Sequence, residues 1–335
     1  MHKTTLSFSK RVGTLKSSDA LSQILNSIGI SGSLLLKEEY CSPWAVSIPK
    51  SSDINSLLEL SKGIRVAAFH LVERGHVHLK LENDKDYLIE AGEIAVCFSG
   101  LGHTIYQGES KSVTAFQDIM AGAKNIFEPD KNKNEPSTSL VCGVFLLHDA
   151  ILNPLLNTLP QVLKLSVTSP KEFPSLYGVI NQIIQEFKYQ TVGSSYVIER
   201  YLEILCAETI RAHTEMLPEQ ATGWLSALKD PVIGKAIEAV HLDPKINWSV
   251  KKLASMVAMS PSRFSARFVS SVGESPMVYV TKWRMFIACK ELKNEQSNLN
   301  QVANDVGYES LASFSRAFKR HIGVSPGIWR DSKKT

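Results

Sequence analysis

The chain has 335 residues and a formal net charge of +4, from 37 Lys and Arg against 33 Asp and Glu. At roughly 100–200 residues per domain this predicts two domains, each large enough for its own core, and a hydrophobic content of 44% excludes wholesale disorder. No apolar run approaches the roughly 20 residues that span a bilayer, and the polar start Met1-His2-Lys3-Thr4-Thr5 leads into no apolar segment of a secretion signal. The cysteines Cys41, Cys97, Cys142, Cys206 and Cys289 are far apart and odd in number. They read as free thiols of a reducing cytoplasm, not as a disulfide framework. The charge is unevenly spread. Residues 225–335 carry 17 basic and 9 acidic side chains, a net of +8, while residues 1–224 carry 20 basic and 24 acidic, a net of −4. A polyanion partner is therefore expected for the basic end alone.

In chain order, Leu21, Ile24, Leu25 and Ile28 carry helical spacing within residues 20–30. The texture then changes to short apolar runs broken by turn residues, which predict strands at 34–36, 45–48, 66–72, 76–81, 87–89 and 94–98. Arg74-Gly75, residues 82–86 and Ala91-Gly92-Glu93 supply turns between them. Such a series is an antiparallel sandwich or small barrel. A polar loop is expected at 128–139, then a final strand at 139–147. Leu176, Val179, Ile180, Ile183, Ile184 and Phe187 recur at helical steps, as do Ile198, Tyr201, Leu202 and Leu205. These two helices are expected to lie on the sheet domain or on a second subunit. Residues 216–223 are the best linker, and everything beyond reads as helix.

The C-terminal third repeats itself. Val250-Lys-Lys-Leu253-Ala254-Ser-Met-Val257 returns 49 residues later as Leu299-Asn-Gln-Val302-Ala303-Asn-Asp-Val306. Ser260-x-x-x-Phe264-Ser265-x-x-Phe268 with Gly273-x-Ser275-Pro276 returns 50 residues later as Ser310-x-x-x-Phe314-Ser315-x-x-Phe318 with Gly323-x-Ser325-Pro326. The one-residue difference falls at Ala258-Met259 against Gly307-Tyr308-Glu309, which marks a turn between two helices. Ser249 and Ser260 are N-cap residues, Pro261 is placed for a first helical turn, and Asn298 with Gln301 resembles a capping box. Phenylalanines four apart share a face and point inward. The outward face then carries small polar and basic residues, the kind a major groove accepts. Residues 276–293 predict a connecting helix of about 27 Å at 1.5 Å per residue, a spacer suited to grooves that recur at about 34 Å. One chain is thus expected to read double-stranded DNA at two half-sites.

The residues 306–326, Val-Gly-Tyr-Glu-Ser-x-x-x-Phe-Ser-Arg-Ala-Phe-Lys-Arg-x-x-Gly-Val-Ser-Pro, resemble the signature of the AraC/XylS family of bacterial transcription regulators. The first copy is less typical, with Ala266 where many members carry a long polar or basic reader. The N-terminal part is similar to the cupin-type sensor of one branch of these regulators, through Ile30-Ser31-Gly32-Ser33 with Pro43-Trp44, residues 69–75, Glu90-Ala91-Gly92-Glu93, Gly100-Leu101-Gly102-His103, residues 141–145 and residues 152–156. The resemblance implies an α+β protein: a cupin-like antiparallel β-barrel with helical dimerisation elements, followed by an all-α domain of two helix-turn-helix units joined by a connecting helix. The divisions expected are 1–149 for the sensor, 150–216 for the helical dimerisation or packing segment, 217–224 for a linker and 225–335 for the DNA reader. The resemblance also implies a cytoplasmic homodimer, a small-molecule effector and contact with RNA polymerase.

On this reading Ser262, Arg263, Ser265 and Ala266 face one groove, and Leu311, Ala312, Ser313 and Arg316 the other. Lys251, Arg267, Lys319 and Arg320 position phosphates. No nucleophile elbow, phosphate-binding glycine loop, CxxC pair or HExxH is present, so no catalytic residue, metal or cofactor is assigned. Metal-binding cupins carry an early His-x-His ahead of the glycine turn. Here residues 64–68 are Ile-Arg-Val-Ala-Ala, and His76-Val77-His78 lies after Gly75. A metal-dependent enzyme would need His76, His78, Glu82 and His103 in one place. The reading preferred is a pocket in the barrel lined by His70 and His103 and closed by Trp44. A purely architectural DNA binder is the third alternative.

Overall fold

A computed structural model describes residues 19–331, apart from 62, 110–111, 121–136, 149–152, 219 and 295. Most of the loop expected at 128–139 lies outside the described residues, as does the polar start of the chain.

The first element is α1 (Ala20–Ile28), capped by Asp19, whose carboxylate accepts from the Ser22 amide at 2.9 Å. Strands follow: β1 (Ile30–Tyr40), β2 (Trp44–Ile48), β3 (Arg65–Arg74), β4 (His76–Leu81), β5 (Asp86–Glu90), β6 (Glu93–Cys97), β7 (His103–Gln107), β8 (Thr114–Ala115), β9 (Thr138–Leu147) and β10 (Leu163–Ser166), with the short helices α2 (Ser51–Leu57) and α3 (Phe116–Met120) between them. They make two five-stranded sheets, in the orders β1-β9-β3-β6-β10 and β5-β4-β7-β2-β8. Pairing is antiparallel except between β2 and β8. The expected sandwich or barrel is therefore present. The strand at 139–147 is not its last, since β10 adds to the edge of β6, and β7 was not anticipated either.

Alternation explains the layers. Along β4, Val77, Leu79 and Leu81 are buried while His76 and Lys80 are exposed, so the second sheet has one wet face. Strand β3 is buried on both faces. Val66, Ala68 and Val72 point between the sheets, and Ala67, Phe69 and Leu71 point the other way. The second layer on that outer face is α4 (Pro174–Tyr189) and α5 (Ser194–Met216), which bring Leu176, Ile180, Leu202 and Leu205 into the same core. Of the two places expected for these helices, the sheet is the one they occupy. Glycine at position 32 permits the approach, because a Cβ there would stand 2.5 Å from Leu202 Cβ.

The C-terminal part is helical: α6 (Trp224–Lys229), α7 (Ile233–Leu242), α8 (Val250–Met256), α9 (Pro261–Val272), α10 (Pro276–Glu291), α11 (Leu299–Asp305), α12 (Leu311–Ile322) and α13 (Pro326–Asp331). Phe264 and Phe268 are buried with α6, α7 and α10, and Phe314 and Phe318 are buried in a separate cluster with Met285, Leu292, Val302 and Val306. Burying each such ring stabilises the fold by about 1.5–3 kcal/mol. The connecting helix is shorter than expected, 16 residues ending at Glu291, or about 24 Å at 1.5 Å per residue.

Candidate nucleic-acid interface

Each repeat folds as helix, turn, helix: α8 and α9 in the first, α11 and α12 in the second. The caps are local. Ser249 accepts from the Lys252 amide, Ser260 from the Arg263 amide and Ser310 from the Ser313 amide. Asn298 accepts from the Asn300 amide at 2.9 Å, but Gln301 does not reach back to complete a capping box. Its amide donates instead to Asp305, at 2.8 and 2.9 Å, because the carboxylate lies one turn ahead on the same face. The turns use left-handed backbone at matching places, Ala258 with φ 54° and Gly307 with φ 80°.

On α9 the side chains of Ser262, Arg263, Ala266 and Arg267 are exposed, and Ser265 is half-buried. On α12 Ala312, Arg316, Lys319 and Arg320 are exposed. Leu311 is half-buried and packs on the second aromatic cluster. The hydroxyl of Ser313 is half-buried too, accepting from the Ser310 hydroxyl at 2.9 Å and donating to the Ser310 carbonyl at 2.8 Å. Lys251 is exposed on α8. Among the described residues Arg263, Arg316 and Lys319 make no ion pair, so three cations face water with their charge unmatched. Arg267 differs: its guanidinium grips Asp230 at 2.9 and 3.0 Å. Burial raises the Asp230 carboxyl, but Arg267 and the amides of Val232 and Ile233 outweigh it and hold it below the usual carboxylate range. Lys319 and Arg320 also occupy the last turn of α12, where cations oppose the negative end of the helix dipole.

One positioning residue was not singled out from the sequence. Arg284 of α10 donates to the carbonyls of Pro244 and Ile246, both at 2.9 Å, and lies over the Tyr308 ring at 5.6 Å. It ties the segment ahead of α8 to the turn of the second repeat. Its contacts span 38 and 40 residues, so no local spacing signals them.

The expected barrel pocket is assembled differently. Trp44 is buried and stacks on Tyr40 at 4.4 Å. His70, from the first sheet, meets His103, from the second, with 2.8 Å between their Nε2 atoms. The Leu101 carbonyl lies 3.3 Å from His103 Nδ1, which places a proton there and leaves Nε2 as acceptor. His70 Nε2 then donates across the pair, and the Cys142 thiol donates to His70 Nδ1 at 3.0 Å. Burial holds His70 well below the usual range, aided by His103, and lowers His103 to about 4. Burial also pushes the Cys97 and Cys142 thiols up to about 12, so neither is an activated nucleophile. A cavity of about 500 Å³ opens beside His103, lined also by Ser47, Lys80, Glu82 and Gln117; Trp44 and His70 do not line it. His76 and His78 lie on the outer face of β4, away from His103. Among the described residues no group of three or more His, Cys, Asp or Glu is placed to share a metal ion.

A family model described as cupin matches residues 19–215, and one described as a helix-turn-helix domain matches residues 253–332. The chain belongs to the cupin family, with an AraC-type helix-turn-helix domain behind the cupin. The chain is 28% identical over 320 residues to the HTH-type transcriptional regulator AlkR of Acinetobacter baylyi, covering 93% of this chain and 99% of that one. It is 35% identical over 191 residues to an AraC-like transcription regulator of Streptomyces antibioticus, where the match covers 57% of this chain and 63% of that protein. A match to a second such regulator, of Streptomyces lividans, spans 62% of that protein. The solved structure of ToxT from Vibrio cholerae O395 aligns over 92% of this chain and 99% of that one, at 13% identity and a TM-score of 0.34. No described helix of the cupin protein is long and apolar enough to cross a membrane.

Proposed function

We propose that the protein is a sequence-specific transcription regulator, an effector-responsive activator that reads two adjacent major grooves of double-stranded DNA with one chain. The observation that carries this is the pair of helix-turn-helix units, each with an exposed second helix, joined by α10, in the part of the chain with a net charge of +8. Ser262, Arg263, Ser265 and Ala266 read bases in one groove, and Leu311, Ala312, Ser313 and Arg316 in the next. Lys251, Arg267, Lys319 and Arg320 contact phosphates, although Arg267 must share its guanidinium with Asp230. Residues 1–149 sense an effector, 150–216 pack and dimerise, 217–224 link and 225–335 bind DNA. Exposed Tyr189, Val192 and Tyr196, at the tip of the α4–α5 hairpin, support a face for a second copy. The setting is the cytoplasm, with RNA polymerase as the partner in activation and no enzymatic step.

Selection of duplexes from a random pool by the full chain, followed by hydroxyl-radical footprinting, tests the reading. The expected result is an enriched sequence with two protected patches per chain, about one helical turn apart on one face of the duplex. A pool that stays unenriched, as for an architectural binder, or a single patch per chain, would overturn it.

A further inference from the structure

We propose that a cavity of about 430 Å³ at the junction of the two parts of the chain binds a neutral aromatic molecule bearing carbonyl or hydroxyl oxygens, and that its occupant couples the two second helices. The site is not the barrel interior. Its walls come from four places: Pro154, Asn157 and Thr158 after β9, Trp224 of α6, the end of α9 with α10, and His321 and Ile322 at the end of α12. Both helices that face DNA thus end on one cavity, and α10, which joins them, forms its floor through Tyr279, Lys282 and Trp283.

The chemistry of the walls narrows the occupant. Rings of Trp224, Tyr279 and Trp283 favour a flat apolar body. Lys282 is already paired with Glu274, so neither an anion nor a cation meets an unmatched charge. The Tyr279 hydroxyl is engaged as well, accepting from Trp224 Nε1 at 2.7 Å and bonded to His241 Nε2 at 2.6 Å. Trp283 is different. It is 3% exposed, one ring face is covered by His241 at 3.6 Å, and its indole N–H has no hydrogen-bond partner. A buried donor without an acceptor is costly; Nε1 is itself sealed from the cavity, so a ligand oxygen satisfies it only as the ring turns on binding. His321 directs Nδ1 to the Ala317 carbonyl at 2.9 Å, which leaves Nε2 able to accept from a ligand hydroxyl.

The binding claim stands without DNA; the coupling claim rests on the proposed function. Nile red, a neutral polycyclic dye with a ring carbonyl, is the probe, titrated into the full chain. Its emission is expected to shift to the blue and saturate at one equivalent. Thr158→Trp fills the cavity from the sheet side and Val272→Trp from the end of α9, and each is expected to weaken the dye at least tenfold. Leu88→Ala, which removes exposed apolar surface on β5 far from the cavity, leaves it unchanged. Saturating dye should change affinity for a selected duplex severalfold in the native chain and not in Thr158→Trp. Dye binding that never saturates, or that is indifferent to both filling substitutions, overturns the site, and unchanged duplex affinity overturns the coupling. If the chain binds no duplex at all, the regulator reading fails while the dye titrations still judge the cavity.

Discussion

Arg316 and Lys319 sit on the same exposed stripe of α12, yet a groove asks different things of them. A guanidinium presents a planar fork that matches the two acceptors of a guanine edge, whereas an ammonium is a point charge suited to phosphate. Arg316→Ala is therefore expected to cost about 1–3 kcal/mol on a selected duplex and to relax preference at one base pair. Equal weakening on random duplex, measured by fluorescence anisotropy, would move Arg316 to the backbone. Lys319→Ala should weaken both duplexes alike and reduce the salt slope by about one unit; an unchanged slope removes it from the interface. Exposure of these two was legible in the sequence, because Phe314 and Phe318 determine which side of the helix turns inward. The tie on Arg267 was not, since it depends on where another element begins.

The turns inside the two helix-turn-helix units are equivalent in backbone and unequal in cost. Ala258 holds a left-handed φ of 54° with a side chain that disfavours it. Ala258→Gly is expected to stabilise the chain by about 0.5–1 kcal/mol. Gly307 has no such freedom to give up: a Cβ there would stand 2.6 Å from Arg284 Nη2, 2.8 Å from the Lys245 carbonyl and 2.9 Å from that of Pro244. Gly307→Ala should destabilise by more than about 1 kcal/mol, and urea unfolding of the two variants checks both signs. If both changes are neutral, the turns are not the constraint described. At this scale periodicity was a good guide where burial is one-sided, as in α9, α12 and β4. It failed for β10, whose four residues alternate too briefly to stand out and whose pairing with β6 is supplied by the fold.

Across the whole molecule, three buried histidines make stability depend on pH. His103 is lowered to about 4, His241 to about 3 by burial among aromatic rings, and His70 well below its usual range. Each is neutral in the folded chain and gains a proton on unfolding below about pH 6.5. The unfolded chain then binds more protons, so stability is full above that pH and falls as pH drops towards the folded values. Each ring contributes a slope of up to about 1.4 kcal/mol per pH unit in that window. The urea midpoint should fall between pH 7.0 and 5.5, less steeply in His241→Gln, which keeps an acceptor for Tyr279. A flat midpoint would mean these rings are charged when folded. Exposed Glu38 and half-buried Glu291, each raised by partial burial, act in the opposite sense nearer the carboxylate range.

What the sequence determined by itself was whatever is local: the caps, the phenylalanine pairs four apart, the duplication at 49 and 50 residues, and a basic third behind an acidic part. Those features follow from the period of a helix and from composition, so one chain suffices to read them. Tertiary structure decided the rest. His76 and His78 share a spelling with metal ligands but point out of the sheet, because Val77, Leu79 and Leu81 take the inner face. His70 meets His103 across two sheets, Arg267 meets Asp230 across 37 residues, and the junction cavity draws on residues from 154 to 322. Such contacts arise from register and packing between distant elements, which no local pattern encodes.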